Sequence, residues 1–294
     1  MDSEQIGKLI RVGAAAATVG VASCVHAAAK ELPIGQIMFF RALVAGLLIA
    51  IWARATAPGR DLLPRRWRPH LIRGALSCGA MTLTFVSMAR LPITQAQTLT
   101  FLAPLIVVPL AMARLNEALT VRLLVGLGLG FAGVVMILGL SAEAGPAALW
   151  GALAGVAGAV LIAMIQVNVR AMTATETTRS IALSFTFIVA AATLPTAALG
   201  GWVWPAGTAL YAMLGAGVFG ALNVVMFTMS LARAPASVIA PLDYTGLLWA
   251  VMVDWLLFAQ IPGPWGILGS VLITLAALLV VLSPRSTAPR TPTT

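Results

Sequence analysis

A few ionisable side chains lie inside long apolar runs of this sequence, and they are the first candidates for chemistry. These residues are Arg41, Asp243, Asp254 and His26. If the runs cross a bilayer, each charged side chain there costs at least a few kcal/mol, so its presence suggests a function. We therefore predict that these four residues serve charge pairing and gating within a membrane.

Arg41 and His26 can each serve either a substrate or the fold. The planar guanidinium of Arg41 can hold a substrate carboxylate through two parallel hydrogen bonds. The alternative is a structural ion pair or a cap on a neighbouring helix end. His26 is the only histidine inside an apolar run, and it can relay a proton near neutral pH. Its alternative is a hydrogen-bonded histidine at a helix end.

Asp243 and Asp254 share one apolar run and are eleven residues apart. In a continuous helix this spacing places both carboxylates on one face, about 16 Å apart along the axis. They can then form alternating gates or bind a substrate ammonium. The alternative is structural pairing with nearby cations, namely Arg233 or Arg114 for Asp243 and Arg41 or Lys30 for Asp254.

Neutral polar and aromatic residues within the runs form a second group of candidates. Amide, hydroxyl and aromatic groups in a partly apolar cavity suit a zwitterion that carries a side chain. We predict that five residues contact such a substrate: Gln97, Phe101, Asn223, Tyr244 and Trp249. The alternative is that the polar groups only join helices, at roughly 0.6 kcal/mol per hydrogen bond.

The composition of the chain indicates a membrane protein. Of its 294 residues 60% are hydrophobic and 9% are charged, whereas a soluble domain is about 25% charged. The apolar runs are about 20 residues long and do not alternate as barrel strands do, so they predict helices. We predict an all-α polytopic membrane protein with ten transmembrane helices: 9–28, 34–53, 71–89, 93–113, 120–140, 148–168, 180–200, 207–230, 236–258 and 264–283.

One segment of the chain returns at an offset of 143 residues. Residues 87–94 (SMARLPIT) match residues 230–237 (SLARAPAS), and Gly74 matches Gly217 at the same offset. A single offset that holds in both halves indicates internal duplication. Because each half contains an odd number of spans, the second half must be inverted. Inverted repeats are typical of secondary transporters, which bind substrate near the midplane between the repeats.

The duplication also sets the expected domain boundaries. These are a cytoplasmic N-terminus (1–8), a first five-helix repeat (9–140), a linker (141–151), a second inverted repeat (152–283) and a disordered cytoplasmic tail (284–294). With the N-terminus in the cytoplasm, fifteen of the 18 Lys and Arg residues lie on that side and two on the other. This asymmetry predicts that both termini are cytoplasmic.

Several motifs, in this order and spacing, resemble the EamA-type branch of the drug/metabolite transporter superfamily. The chain is similar to the ten-helix aromatic amino-acid exporter group of that branch, which implies a bacterial inner-membrane exporter of small metabolites. At Leu247 and Gln260 it departs from the family, which often has Pro and Glu there. The motifs are FFRAL (39–43), SMARLPIT and its repeat, FLAP (101–104), NEALT (116–120), ASVIAP (236–241) and WLLF (255–258).

Together these features predict a secondary transporter that exports amino acids or similar small polar metabolites by alternating access through a central cavity. The alternative is a proton-coupled antiporter for lipophilic cations. The short four-span relatives of the family use a carboxylate in their first span, and runs 9–28 and 148–168 contain neither Asp nor Glu. In this chain Asp243 or Asp254 could serve as that carboxylate.

We expect that the protein is not an enzyme and that it has no cofactor and no metal site. The chain has only two histidines and contains no zinc-binding or nucleophile motif. Its positive charges lie in short loops between spans, so we expect no nucleic-acid partner. The expected partners are a small-molecule substrate and the lipid bilayer, and a self-contained ten-helix carrier can work as a monomer.

Overall fold

The apolar runs form helices because a backbone in lipid must satisfy its hydrogen bonds within its own segment. A computed structural model describes residues 2–29, 31–56, 62–91, 93–117, 120–138, 146–199, 201–258 and 263–282. Within these ranges nine helical segments are long and apolar enough to cross a membrane, and Val121–Ile137 is a shorter apolar helix. The prediction of an all-α, multi-pass membrane protein is confirmed.

The helices follow one another in the order of the predicted spans. They are α1 (Ser3–Ala28), α2 (Ile34–Thr56), α3 (Trp67–Met88), α4 (Ile93–Thr100), α5 (Ala103–Leu115), α6 (Val121–Leu138), α7 (Pro146–Met172), α8 (Thr178–Leu199), α9 (Gly207–Arg233), α10 (Ala236–Ile239), α11 (Thr245–Phe258) and α12 (Pro264–Val281). A 3-10 helix, Ala240–Tyr244, joins α10 to α11. The predicted tail 284–294 lies outside the described ranges.

Two of the predicted spans are interrupted. The fourth consists of α4 and α5 with a break at Phe101, and the ninth consists of α10, the 3-10 helix and α11. Pro104 lies in the first turn of α5, and Pro241 lies in the first turn of the 3-10 helix. A missing backbone N–H costs least at such positions. Phe101 and Tyr244 are 143 residues apart, so the two breaks keep the offset of the repeat.

The second break corrects the expected geometry of Asp243 and Asp254. Asp243 belongs to the 3-10 helix, which has three residues per turn and a rise of about 2.0 Å. The assumption of one continuous α-helical face through both residues is therefore wrong. The side chain of Asp254 lies outside the part of the chain that the structure describes.

The helices pack in pairs that a duplicated chain would repeat. α1 packs along α9, and α3 packs along α7. If the two halves are exchanged, each of these pairs becomes the other. α2 against α8 and α6 against α12 map onto themselves in the same exchange. The pairing agrees with the duplication, while the opposite orientation of the two halves stays a prediction.

The contact between α6 and α12 is made by glycines. A Cβ placed on Gly133 of α6 would lie 2.6 Å from the carbonyl oxygen of Gly269 in α12, and the reverse distance is also 2.6 Å. Only hydrogen fits at either position, so the two backbones touch directly.

Candidate functional site

A cavity of about 470 Å³ lies where α1, α7 and α9 meet the two interrupted spans. This volume falls within the usual range for small-molecule sites. The wall is mostly apolar, and α1 contributes small side chains at Ala14, Ala15 and Ala22. Residues of α1 from Arg11 to Ala22 line the cavity, which corresponds to about 16 Å along the helix axis.

Four of the nine predicted site residues line this cavity. They are Gln97, Phe101, Asn223 and Asp243. Gln97 and Phe101 flank the break in the fourth span, and Asp243 lies in the 3-10 helix of the ninth. The interruptions therefore bring side chains from two distant parts of the sequence to one space.

Asn223 is fixed between α9 and α1. Its Nδ2 donates hydrogen bonds to Thr18 Oγ1 at 2.7 Å and to the carbonyl oxygen of Ala14 at 3.1 Å. These two bonds use both donors of the amide. The amide oxygen of Asn223 is left as the group that can accept a hydrogen bond from a ligand.

Asp243 is held by two residues that were not among the predicted partners. Arg11 donates from Nε and Nη2 to the two carboxylate oxygens at 2.5 and 2.7 Å, and Gln166 Nε2 donates at 2.8 Å. The guanidinium carbon of Arg11 lies 4.4 Å from the ring centroid of Phe227. The observed partner of Asp243 is thus Arg11, which replaces the expected Arg233 or Arg114.

Arg11 and Gln166 were missed although the sequence contained a signal for both. Each lies inside a predicted span, 9–28 or 148–168, which is the rule that selected Arg41. Arg11 was counted instead among the cytoplasmic positive charges. The structure buries it to 2% exposure, because its charge is neutralised by Asp243 and its stem packs in the helix bundle.

Tyr244 and Trp249 lie behind the cavity wall. Tyr244 is fully buried; its ring packs against Gly130, and its centroid lies 6.2 Å from that of Phe101. Trp249 Nε1 donates to the carbonyl oxygen of Val12 at 3.2 Å, which ties α11 to α1. Substrate contact by these two residues stays a prediction, and in this structure they support the residues that line the cavity.

Arg41 and His26 lie away from the cavity. Arg41 borders a void of about 10 Å³ between α2, α8 and α9, which has room for about one water molecule. Among the described residues, no hydrogen-bond partner exists for Arg41 Nε. His26 lies in the last turn of α1 and is exposed.

A carboxylate outside the cavity holds the start of the ninth span. Glu117, the acid of the NEALT motif, accepts hydrogen bonds from the backbone N–H groups of Ala236 and Ser237 at 2.9 and 2.8 Å. It also accepts one from the Ser237 hydroxyl at 2.6 Å, and Arg170 Nε lies 3.7 Å away. The position of α10, and of the 3-10 helix that carries Asp243, therefore depends on Glu117.

The described ranges contain no cluster of three or more His, Cys, Asp or Glu residues that could hold a metal ion. The cavity combines an apolar wall with a few convergent polar groups, a lining that is typical of small-molecule sites.

Comparison with known proteins shows that this chain is similar to transporters. Residues 5–139 match the EamA-like transporter family. The pseudopaline exporter CntI of Pseudomonas aeruginosa is 25% identical over 95% of this chain and 96% of its own length. The S-adenosylmethionine uptake transporter of Rickettsia felis is 26% identical over 75% of this chain and 74% of its own.

One solved crystal structure shares the fold, with a TM-score of 0.82 at 19% identity over 95% of this chain and 96% of that one. The family match, the two relatives and the shared fold agree with one another. Residues 5–139 of the chain thus match a transporter family, and the two relatives, which are similar to most of its length, are named as an exporter and an uptake transporter.

Proposed function

We propose that this protein exports amino acids or similar small polar metabolites by alternating access through the cavity between its two repeats. The observation that carries the proposal is the cavity itself. It is bounded by both interrupted spans, and the Arg11–Asp243–Gln166 cluster lines its end nearest the start of α1. Interrupted helices that meet at a cavity are typical of substrate sites in secondary transporters.

The proposed orientation places both termini in the cytoplasm, as the asymmetry of Lys and Arg favours. Three of the residues counted for that asymmetry, Lys8, Arg11 and Arg73, are buried, and twelve remain on the same side. In this orientation the cluster of Arg11 and Asp243 closes the cavity toward the cytoplasm. Net export is supported by the resemblance to amino-acid exporters. The two relatives do not decide the direction, because one is named for export and the other for uptake.

The cavity does not favour the lipophilic-cation antiporter. Such a mechanism needs a carboxylate that is free to exchange a proton for a cation. Among the described residues, Asp243 is the carboxylate that lines the cavity, and it accepts three hydrogen bonds, two of them from Arg11. Drawing Asp243 away from the buried Arg11 leaves an uncompensated charge, so Asp243 is a poor site for a cation that brings no anionic group with it.

Solute uptake into proteoliposomes that contain purified protein tests the proposal. The panel sets amino acids against quaternary ammonium dyes, with and without a pH gradient. We expect saturable uptake of amino acids. Dye movement that requires the gradient, together with no amino-acid uptake, would contradict the proposal and favour the antiporter.

Asn223→Ala provides a test at the level of one residue. Losing a hydrogen bond to a charged ligand corresponds to about tenfold slower transport, and we expect expression and folding to be intact. Asn168→Ala is the matched control, because Asn168 Nδ2 donates to the carbonyl oxygen of Pro69 at 3.2 Å, outside the cavity. Wild-type transport by Asn223→Ala would assign Asn223 to helix packing.

A further inference from the structure

We propose that Arg11, Asp243 and Gln166 bind the main-chain ammonium and carboxylate of a zwitterionic α-amino acid. The substrate carboxylate binds to Arg11, and the ammonium binds to Asp243 and Gln166. This inference rests on the proposed function, since it requires the cavity to carry the solute. It assigns the charged end of the substrate to residues other than Arg41, which borders only the small void described above.

The guanidinium group of Arg11 has two hydrogen-bonding edges, and Asp243 occupies one of them. A guanidinium group presents five N–H donors in a fixed fork. Asp243 occupies the edge formed by Nε and Nη2, while Nη1 has no hydrogen-bond partner within the described ranges. Nη1 and the second N–H of Nη2 form the edge that a second carboxylate can bind. The contact with Phe227 restrains the plane of this fork.

Gln166 and Asp243 offer the complementary acceptors. Gln166 donates from Nε2 to Asp243, which orients the amide and leaves Oε1 as its acceptor. In the described part of the chain, Gln166 Oε1 also has no hydrogen-bond partner. The side chain of Asp243 is 23% exposed, against 3% for that of Arg11, so the carboxylate can be reached from the cavity. An ammonium group carries three donors, and these oxygens can accept them.

The charge balance selects a zwitterion over a simple ion. Arg11 and Asp243 together carry no net charge, and a zwitterionic amino acid carries none either. Its binding places two more opposite charges beside the pair without adding a net charge to the membrane interior. A ligand with only an ammonium or only a carboxylate would bring an uncompensated charge into that environment, which is unfavourable.

Binding at this cluster also loosens the closed end of the cavity. Nη1 and Oε1 are buried in the present arrangement, so the amide must turn to meet the ligand, and the guanidinium must turn within the plane that Phe227 restrains. That turn weakens the bonds from Arg11 and Gln166 to Asp243. These bonds join α1 and α7 to the 3-10 helix of the ninth span, so an occupied site favours the separation that opens the cavity at this end.

The test uses wild-type protein in proteoliposomes and three matched probes. The common L-amino acids are assayed singly, and the one taken up best is compared with its amide, which lacks the carboxylate, and its N-acetyl derivative, which lacks the ammonium. We expect both derivatives to compete about 10- to 100-fold more weakly than the parent. Equal competition by either derivative overturns the zwitterion site and leaves amino-acid transport standing. No uptake of any amino acid overturns the proposed function itself.

Two variants separate binding from a structural role. Arg11→Lys keeps an ion pair with Asp243 but loses the fork, so it should raise KM about tenfold and abolish discrimination against the amide only. Asp243→Asn should abolish discrimination against the N-acetyl derivative only. Arg170→Gln, which breaks the ion pair with Glu117 outside the cavity, should keep both discriminations. A purely structural pair would lower transport in both cavity variants with both discriminations intact, and that result overturns the assignment.

Discussion

Glu117 is the residue whose removal should most clearly test how the ninth span is held. Its carboxylate accepts three hydrogen bonds from Ala236 and Ser237 at the start of α10. The first N–H groups of a helix have no partner inside the helix, and an acidic acceptor satisfies them. Ala236 and Ser237 are fully buried, so water cannot replace the carboxylate easily. Glu117→Ala would leave their two N–H groups unpaired.

The expected loss can be worked out from these contacts. Losing a helix cap costs about 1 kcal/mol, and a buried donor left without an acceptor costs about 1–3 kcal/mol. The ion pair with Arg170 adds little, because Arg170 Nε lies 3.7 Å from Glu117 Oε1 and the Arg170 side chain is 29% exposed. We therefore expect Glu117→Ala to lower the free energy of unfolding by about 3 kcal/mol. Ser237→Ala removes only the hydroxyl bond and should cost about 1 kcal/mol.

Titration of the purified protein with SDS in mixed micelles, followed by helical circular dichroism, measures these free energies. The Ser237 hydroxyl donates to Glu117, so its bond is already lost in Glu117→Ala. The double variant should then lose about as much as Glu117→Ala alone. Additive losses, or a loss for Glu117→Ala no larger than that for Ser237→Ala, would refute this account of how α10 is held.

Two further predictions concern backbone contacts. Gly133→Ala places a methyl group 2.6 Å from the carbonyl oxygen of Gly269 and should lower the free energy of unfolding by about 1–3 kcal/mol in the same titration. Gly128→Ala, with open space at its Cβ, is the control and should not be destabilised. Gln36 pairs through its amide with both the N–H and the C=O of Val203. Gln36→Leu should therefore speed hydrogen exchange at the Val203 amide by about tenfold, and unchanged exchange there would contradict a role for this pairing.

The helices could be predicted from the sequence, but the two breaks could not be placed. Hydropathy reports that a segment prefers lipid; it is lower before Phe101, in ITQAQTLT, than after it, and this difference does not locate a break in a helix. Pro104 indicated a kink, yet the break begins three residues earlier because the proline occupies the first turn of the new helix. The 3-10 helix before Thr245 has no separate signal in composition. Its geometry depends on packing against other helices, which a single sequence does not reveal.

The candidate site was predicted in part, for a similar reason. Polar side chains inside apolar runs identified Gln97, Asn223 and Asp243, which line the cavity. The same rule applied to Arg11, but its place near the start of a helix suggested a loop charge. Tyr244 was expected in the cavity, and it instead fills the space beside Gly130. Which side of a broken helix faces a cavity is set by the neighbouring helices and not by the polarity of the residue.

The Arg11–Asp243 ion pair stabilises one arrangement of the two halves, and the arrangement with the halves exchanged does not contain it. At the 143-residue offset, Arg11 corresponds to Ala154 and Asp243 corresponds to Thr100. Ala154 and Thr100 cannot form an ion pair, so the duplicate positions hold no equivalent of the Arg11–Asp243 contact. Under the alternating access proposed above, the Arg11–Asp243 pair would hold one end of the cavity closed, and the duplicate positions would supply no such pair at the other end. The two-fold relation left by the duplication is therefore broken at these positions, where divergence has placed opposite charges at one pair and neutral side chains at the other.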